Sequence, residues 1–351
     1  MSIDTLFTPS AIVGINGVDL NLHQMSCLKS VRVENELNTA GLFELSFALG
    51  EDEDGNSGES ISMKAFPIGA DVEVAMGFEK PGVLINGQVT GVEPDFGDAS
   101  TFTVRGYDGL YRLQFGTHLR KYEKKSDSQI ASAMAKEVNL ANKVEDSGFI
   151  LPSMIQFKLS NYEFLSKRIQ QLGFEMLMVG KTFHFRRPQE DKSAVVSLRY
   201  MENLDRFNPT LTVLTGGNKV TVTGWDVQKK KIFKGSNTGA PSYTKMDGSK
   251  SGFQVAEGFP KTDEILTGMT VPSDAAAKLL ASGASGQALN QFIQGEAFCF
   301  IGDPRISAGI NVDVEGVQAP FEGRYYVTAS IHEFNETDGY RTHFKFRRTY
   351  I

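Results

Sequence analysis

Cysteine is almost absent: Cys27 and Cys299 are the only two in 351 residues, and neither belongs to a CxxC pair. That excludes a disulfide-built secreted scaffold. Long apolar runs are missing too. No stretch approaches the ~20 residues that span a bilayer, so no membrane insertion by this chain is expected. The opening MSIDTLFTPSAIVG has no basic segment followed by an apolar one. No signal peptide is therefore expected, and the chain reads as made and assembled in a reducing cytoplasm. Nor is there a surplus of positive charge: 36 Lys and Arg against 42 Asp and Glu give −6. A duplex-binding protein carries a basic surplus that neutralises phosphates, so the balance weighs against nucleic-acid recognition as the main task.

The signatures of catalysis are also missing. The five histidines, His23, His118, His184, His332 and His343, are dispersed and show no HExxH spacing for a metal. His332 and His343 flank a hairpin turn, where a cross-strand pairing is expected rather than ligation. Asp52-Glu53-Asp54-Gly55-Asn56 has carboxylates at calcium-loop spacing, but lacks the glycine and the bidentate glutamate of the sixth and twelfth positions; a solvated loop is expected. There is no P-loop and no G-x-S-x-G elbow. The densest basic run, Lys229-Lys230-Lys231 with Lys234, reads as a charged strand end. No catalytic residue, metal or cofactor is assigned, and the chain reads as a non-enzyme.

What is present is alternation. Phe43, Leu45, Phe47 and Leu49 alternate with small or polar residues, and Val72, Val74, Met76 and Phe78 repeat the pattern. A period of two puts one set of side chains on a buried face. Residues 27–106 therefore read as antiparallel strands, with GEDEDGNSGES (50–60) as an exposed loop and Pro94–Asp98 as a turn. The period then changes. Ser126-x-x-Gln129 and Ser160-x-x-Glu163 have capping-box spacing ahead of apolar stripes, and the second stripe stops at Gly173. A hairpin over 174–186 follows, making residues 120–190 a compact α+β insertion. Strands are expected again at 195–200, 210–214 and 219–227, with Trp225 placed in the core. Residues 229–270 read as the least structured stretch. Asp274–Ile293 reads as a helix capped by Ser273 and weakened by Gly283 and Gly286, before strand signals return to the end.

The two β-rich parts end alike. Val89-Thr90 leads to Phe96 and an alternating strand closing on Arg105; Val327-Thr328 leads to Phe334 and an alternating strand closing on Arg347. The match suggests a duplicated β-domain, one copy near 1–115 and one near 195–351. Three such chains would present six similar units around a closed ring.

Several segments, in order, resemble the phage late-control gene D family. These are baseplate hubs of contractile tails, relatives of the T4 hub and of the N-terminal part of valine–glycine-repeat spike proteins. The segments are Leu84-Ile85-Asn86-Gly87-Gln88-Val89-Thr90-Gly91-Val92, then Val104-Arg105-Gly106-Tyr107-Asp108-Gly109-Leu110-Tyr111-Arg112-Leu113, then Tyr122 and the Ser126 helix start. Phe157–Arg168 follows, with Asn161 where the family has aspartate; then Gly173-Phe174-Glu175 to Phe183-His184-Phe185, and finally Phe321–Val327, Ile331-His332 and Tyr340–Phe344. The resemblance implies a mainly β fold with an α+β insertion and two tube-like antiparallel β-barrel domains per chain. The boundaries drawn are 1–118, 119–192 and 193–351, the last with an insertion near 229–295. It further implies a homotrimeric ring joining a six-fold inner tube to a three-fold spike in a phage tail, tailocin or extracellular injection particle. Expected partners are a separate spike protein (since the chain stops at Ile351 without spike domains), the inner tube or its initiator, other baseplate proteins, and DNA or effector cargo in the lumen. The alternatives are a β-rich receptor- or glycan-binding tail protein and a hub-associated hydrolase.

Overall fold

A computed structural model describes residues 9–49, 61–97, 100–214, 218–226 and 230–351. The expected loop over 50–60, its Asp52–Asn56 run, and Val227 and Lys229 lie outside the described residues. The fold is mainly β with helical insertions, as the sequence indicates.

The first unit contains β1 (Ser10–Ile15), β2 (Val18–Asp19), the short helix α1 (Leu22–Ser26), β3 (Leu28–Glu36), β4 (Leu42–Ala48), β5 (Asp71–Gly77), β6 (Gly82–Asp95) and β7 (Thr101–Asp108). Alternation sets the buried face: Phe43, Leu45, Phe47 and Val74 are wholly buried. One core draws on β1 and on β3 to β7 together, so the sheet curls around it. Its centre is aromatic, with Phe47 stacked on Phe102 at 5.3 Å between ring centroids and Phe66 tilted against Phe47 at 5.1 Å.

The insertion follows with β8 (His118–Lys125), α2 (Asp127–Glu137), β9 (Ala141–Val144), β10 (Leu151–Leu159), α3 (Asn161–Leu172), β11 (Glu175–Val179) and β12 (Thr182–Arg186). Both expected capping boxes form, on Ser126 and on Ser160. Gly173 ends α3 at φ 67°, the left-handed cap that glycine adopts without strain. Arg168 on α3 donates to both oxygens of buried Asp127 at 2.6 and 3.0 Å, fixing the two helices against each other.

The second unit and its excursion comprise β13 (Val196–Arg199), β14 (Arg206–Leu211), β15 (Lys219–Asp226), β16 (Lys231–Thr238), α4 (Gly252–Val255), β17 (Asp263–Leu266), α5 (Asp274–Leu289), β18 (Ile293–Cys299), β19 (Asn311–Glu315), β20 (Gly323–Asn335) and β21 (Gly339–Arg348). Residues 230–270 are thus more ordered than their composition suggests. β16 pairs with β15 along its whole length and β17 runs parallel to β15. The small residues that read as a loop serve close packing: a Cβ on Gly235 would run into the α5 backbone at Ala277 and Lys278. Likewise Gly283 in α5 lies against the carbonyl of Leu172, and Gly286 against the Tyr243 ring. Val220, Val222, Ala277 and Leu280 share one core with Ile130, Met134, Leu165 and Ile169, so the excursion and the insertion pack as one body. Trp225 is not core; it lies on β15 beyond the reach of β17, 58% exposed.

The two β units repeat each other strand for strand. In chain order the first uses β1, β3, β4, β5, β6 and β7, and in space these lie β3-β4-β7-β6-β5-β1. The second uses β13, β14, β18, β19, β20 and β21, which lie β14-β18-β21-β20-β19-β13. Numbered within each unit, both orders are 2-3-6-5-4-1. The local detail repeats too, since the register slips at Thr90 against β7 and at Thr328 against β21, one extra residue in each long strand. Where the first unit lays Phe43 over Gly106, the second reverses the pair, with Phe346 over Gly295. Two departures stand out. β1 runs antiparallel to β5 whereas β13 runs parallel to β19. The closing arginines are also out of register, Arg105 being matched by Lys345 rather than Arg347.

The Phe–Gly exchange gives a test. A Cβ at Gly106 would collide with the Phe43 ring and the Gln88 carbonyl. Gly106→Ala is expected to lower unfolding free energy by about 2 kcal/mol, the scale of core overpacking, read as a shifted urea midpoint.

Candidate functional site

The histidines do not converge. His332 is wholly buried: its Nε2–H donates to the Ile306 carbonyl at 2.8 Å, so its Nδ1 accepts, from the Tyr340 hydroxyl at 2.9 Å. Its cross-strand partner is Thr342, and that of His343 is Ile331, so the two histidines face opposite sides of the hairpin and do not pair with each other. His343 instead lies 3.3 Å from Glu296, while Arg120 hydrogen-bonds the His118 ring at 2.9 Å. Among the described residues, no group of three or more His, Cys, Asp or Glu is arranged to hold a metal. Asp108, the aspartate of the family-like motif, is a structural cap that accepts from the amides of Gly41 and Leu110, both at 2.9 Å. The cleft between the first unit and the insertion, about 300 Å³, is lined by Asp71, Glu73, Arg112 and Lys181, a mixture of both signs.

A buried polar network, one ion pair and one tyrosine hydrogen bond crossing between them, locks the insertion to the second unit. Arg186 on β12 donates to Glu175 at 3.0 Å, and the same carboxylate accepts from the Tyr326 hydroxyl at 2.7 Å. Glu190 accepts from Arg347 at 2.7 Å, with the Arg347 guanidinium 5.0 Å over the Tyr326 ring. Burial pushes the carboxyls of Glu175 and Glu190 above the ordinary range, opposed by those arginines. Removing one partner would strand a buried charge, so the network works as a rigid joint.

The arrangement with functional geometry is the set of strand edges. Seven residue pairs, Ser30–Glu36 against Ala329–Asn335, join β3 of the first unit to β20 of the second. Leu37 N–H donates to the Thr328 carbonyl at 3.0 Å. The hydrogen-bonding positions therefore alternate so that Val31, Val33 and Asn35 face Phe334, His332 and Ser330. Arg32 adds an ion pair to Glu333 across this seam. Among the described residues, one edge at either side of this arrangement has no partner. Among those same described residues, β14 pairs with β18 alone, and β6 beyond Val89 pairs with β7 alone.

Each free edge carries a proline with its nitrogen turned outward. Thr212 N–H donates to Phe292 at 2.9 Å, so Thr210 and Asn208 face β18 and Pro209 faces away. Leu49 N–H donates to Ser100 at 2.9 Å, so Thr101, Thr103 and Arg105 of β7 face Asp95, Glu93 and Gly91, leaving Pro94 facing away. Read from sequence, Pro94 opens a turn and Pro209 precedes a strand. In the structure both lie inside strands, at the one kind of position where a missing N–H breaks no ladder. A proline within an alternating run is the sign that could have located these edges.

A family model described as the Alg8 N-terminal domain matches residues 8–336. The chain belongs to that family. Its name is not that of the late-control gene D family whose motifs the sequence resembles. No curated protein matches the chain. Among solved structures, the 43 kDa tail protein of prophage MuSo2 from Shewanella oneidensis superposes with a TM-score of 0.70 at 14% identity, covering 97% of this chain and 98% of that one. A tail protein from Neisseria meningitidis MC58 gives 0.70 at 11% identity, with 97% of each chain covered. An Escherichia coli component of the type VI secretion system, described as similar to T4 tail proteins, gives 0.61 at 11% identity, covering 97% of this chain and 77% of that one. This member of the Alg8 N-terminal domain family therefore has the fold of those tail and secretion proteins.

His332 makes the second unit sensitive to acid. Burial holds its pKa down at about 4, against an ordinary 6.5. A depressed value means that the unfolded chain takes the proton first. The contribution to stability is thus full above pH 6.5 and is lost as pH falls towards 4. Between pH 7 and 5 the loss is expected to be about 2 kcal/mol, seen in urea unfolding curves and flattened in His332→Gln.

Proposed function

We propose that this chain is a structural protein of a phage-tail-like contractile injection particle, serving as its baseplate hub. In this reading residues 1–118 and 193–351 form two tube-like domains, with 119–192 as the insertion between them. Three copies close into a ring of six similar units. That ring joins a six-fold tube to a three-fold spike and leaves a lumen for DNA or effector.

One observation carries the proposal. The same six-strand order occurs twice, and the two copies meet head to tail, strand two of the first unit against strand five of the second. A contact between unlike surfaces is heterologous, and repeating it generates a closed ring or an open filament. An isologous pair would have ended the series at two. Among the described residues each chain also ends the series with one unused edge of either kind. The likeness to tail proteins supports the setting, and the ordered gene D-like segments support the hub role within it. Among the described residues no helix is long and apolar enough to cross a membrane, which agrees with a particle component. The work assigned is mechanical: the subunit matches symmetries and bears load.

Light scattering on the purified chain tests this reading. A particle of three times the 38.5 kDa protomer is expected. A single 38.5 kDa species that persists at high concentration would overturn the ring.

A further inference from the structure

We infer that the ring closes by repeating the internal seam between chains: the outward edge of β14 in one copy lies against the far half of β6 in the next, with Pro209 opposite the partner's Pro94. This rests on the trimeric reading above and specifies its interface.

The register follows from the duplication. Val33 lies opposite Phe43, and Phe43 lies opposite Gly106; Pro209 lies opposite Gly295, and Gly295 lies opposite Phe346. Gly106 and Phe346 are equivalent, since each is the partner of the valine just before the repeated bulge. Pro209 therefore occupies the place of Val33. By the same count from the bulges, Pro94 opposite Phe102 occupies the place of His332 opposite Thr342. In the internal seam Val33 faces His332. Carried to the next copy, that pairing sets Pro209 against the partner's Pro94, Thr210 against the partner's Glu93, and Asn208 against the partner's Asp95. Arg206 lies one step along, beside the two carboxylates, and no like charges are opposed.

The inherited pairing comes with one difference. The central pair of the internal seam exchanges hydrogen bonds through backbone N–H groups, and neither proline has one. Leu211 and Phe207 retain theirs on either side of the gap. The seam between copies is therefore weaker than the seam within a chain, so each chain joins its own two units first and the ring closes afterwards. The same two prolines keep each edge from pairing with unrelated strands before the partner arrives.

Cysteine cross-linking in the intact chain tests the register. Asn208 and the partner's Asp95 form a pair without backbone hydrogen bonds, where Cβ atoms come closest. The background carries Cys27→Ser; Cys299 is buried, its thiol pushed up to about 12, and stays inert. Asp95→Cys with Asn208→Cys is expected to give covalent dimers and trimers on oxidation, stopping at three. Asp95→Cys with Leu211→Cys, off register, should give neither. If light scattering shows three chains but the first pair does not cross-link, the seam is wrong while the trimer stands. If the chain stays single, both fall. Pro94→Val with Pro209→Val restores two donors and should lower the concentration at which the ring dissociates by about tenfold. An unchanged dissociation would overturn the role given to the prolines.

Discussion

Every strand edge in this molecule must end on a partner or be made safe against one. The backbone of an extended strand offers hydrogen bonds on both sides, and an unmet row of them recruits whatever strand is near. Here the constraint is met in one thirteen-stranded sheet, whose main path runs through eleven strands from β14 across the β3–β20 junction to β1 and β2, with β19 and β13 branching from β20. The junction is the pivotal contact. It converts two curled sheets into one rigid object, with the buried Glu190–Arg347 and Glu175–Arg186 pairs bracing the insertion behind it. The insertion adds a second constraint, since it bonds to the first unit through Asn38 and to the second through Tyr326 and Arg347. Ladder and insertion together hold the two units in one arrangement.

The Phe–Gly exchange shows how tightly the duplicated scaffold holds its shape. At equivalent places one ring fills the hole left by one missing side chain, yet the ring comes from strand three in the first unit and from strand six in the second. The ring and the gap have changed sides while the pair stays Phe with Gly, as expected where packing is dense and exchanges that preserve volume are the tolerated ones.

Much of this was legible from the sequence, because period and capping are local. Phe43, Leu45 and Phe47 announce a strand, and Ser126 and Ser160 announce helices, without reference to anything distant. The Val–Thr–Phe repeat marked the duplication. The misreadings share one physical cause, in that each residue answers to a neighbour far along the chain. Gly235 looks like a loop glycine until α5 lies across it. Pro94 and Pro209 look like strand breakers until their nitrogens are seen to face an empty edge. Trp225 looks like core because β15 alternates, but it lies on the face opposite Val220, Val222 and Gly224, which is the face packed against α5 and Val271. His332 and His343 look paired because they are near in sequence, whereas the pleat turns them apart.

The placement of the insertions bears on what a ring of these units could do. The link between strands two and three is a tight turn in the first unit, β3 to β4, and a long excursion in the second, holding β15 to β17 and α5. That excursion packs with the α+β insertion into one body, built on a core separate from those of the two ladders. The twelve ladder strands are thus left nearly equivalent, while the largest additions to them, the excursion and the α+β insertion, are gathered in a single mass per chain. Closed three times, such a chain would have ladders repeating six times and insertions repeating three times. A six-fold partner could then read the ladders and a three-fold partner the insertions, each meeting its own symmetry with no strain between them.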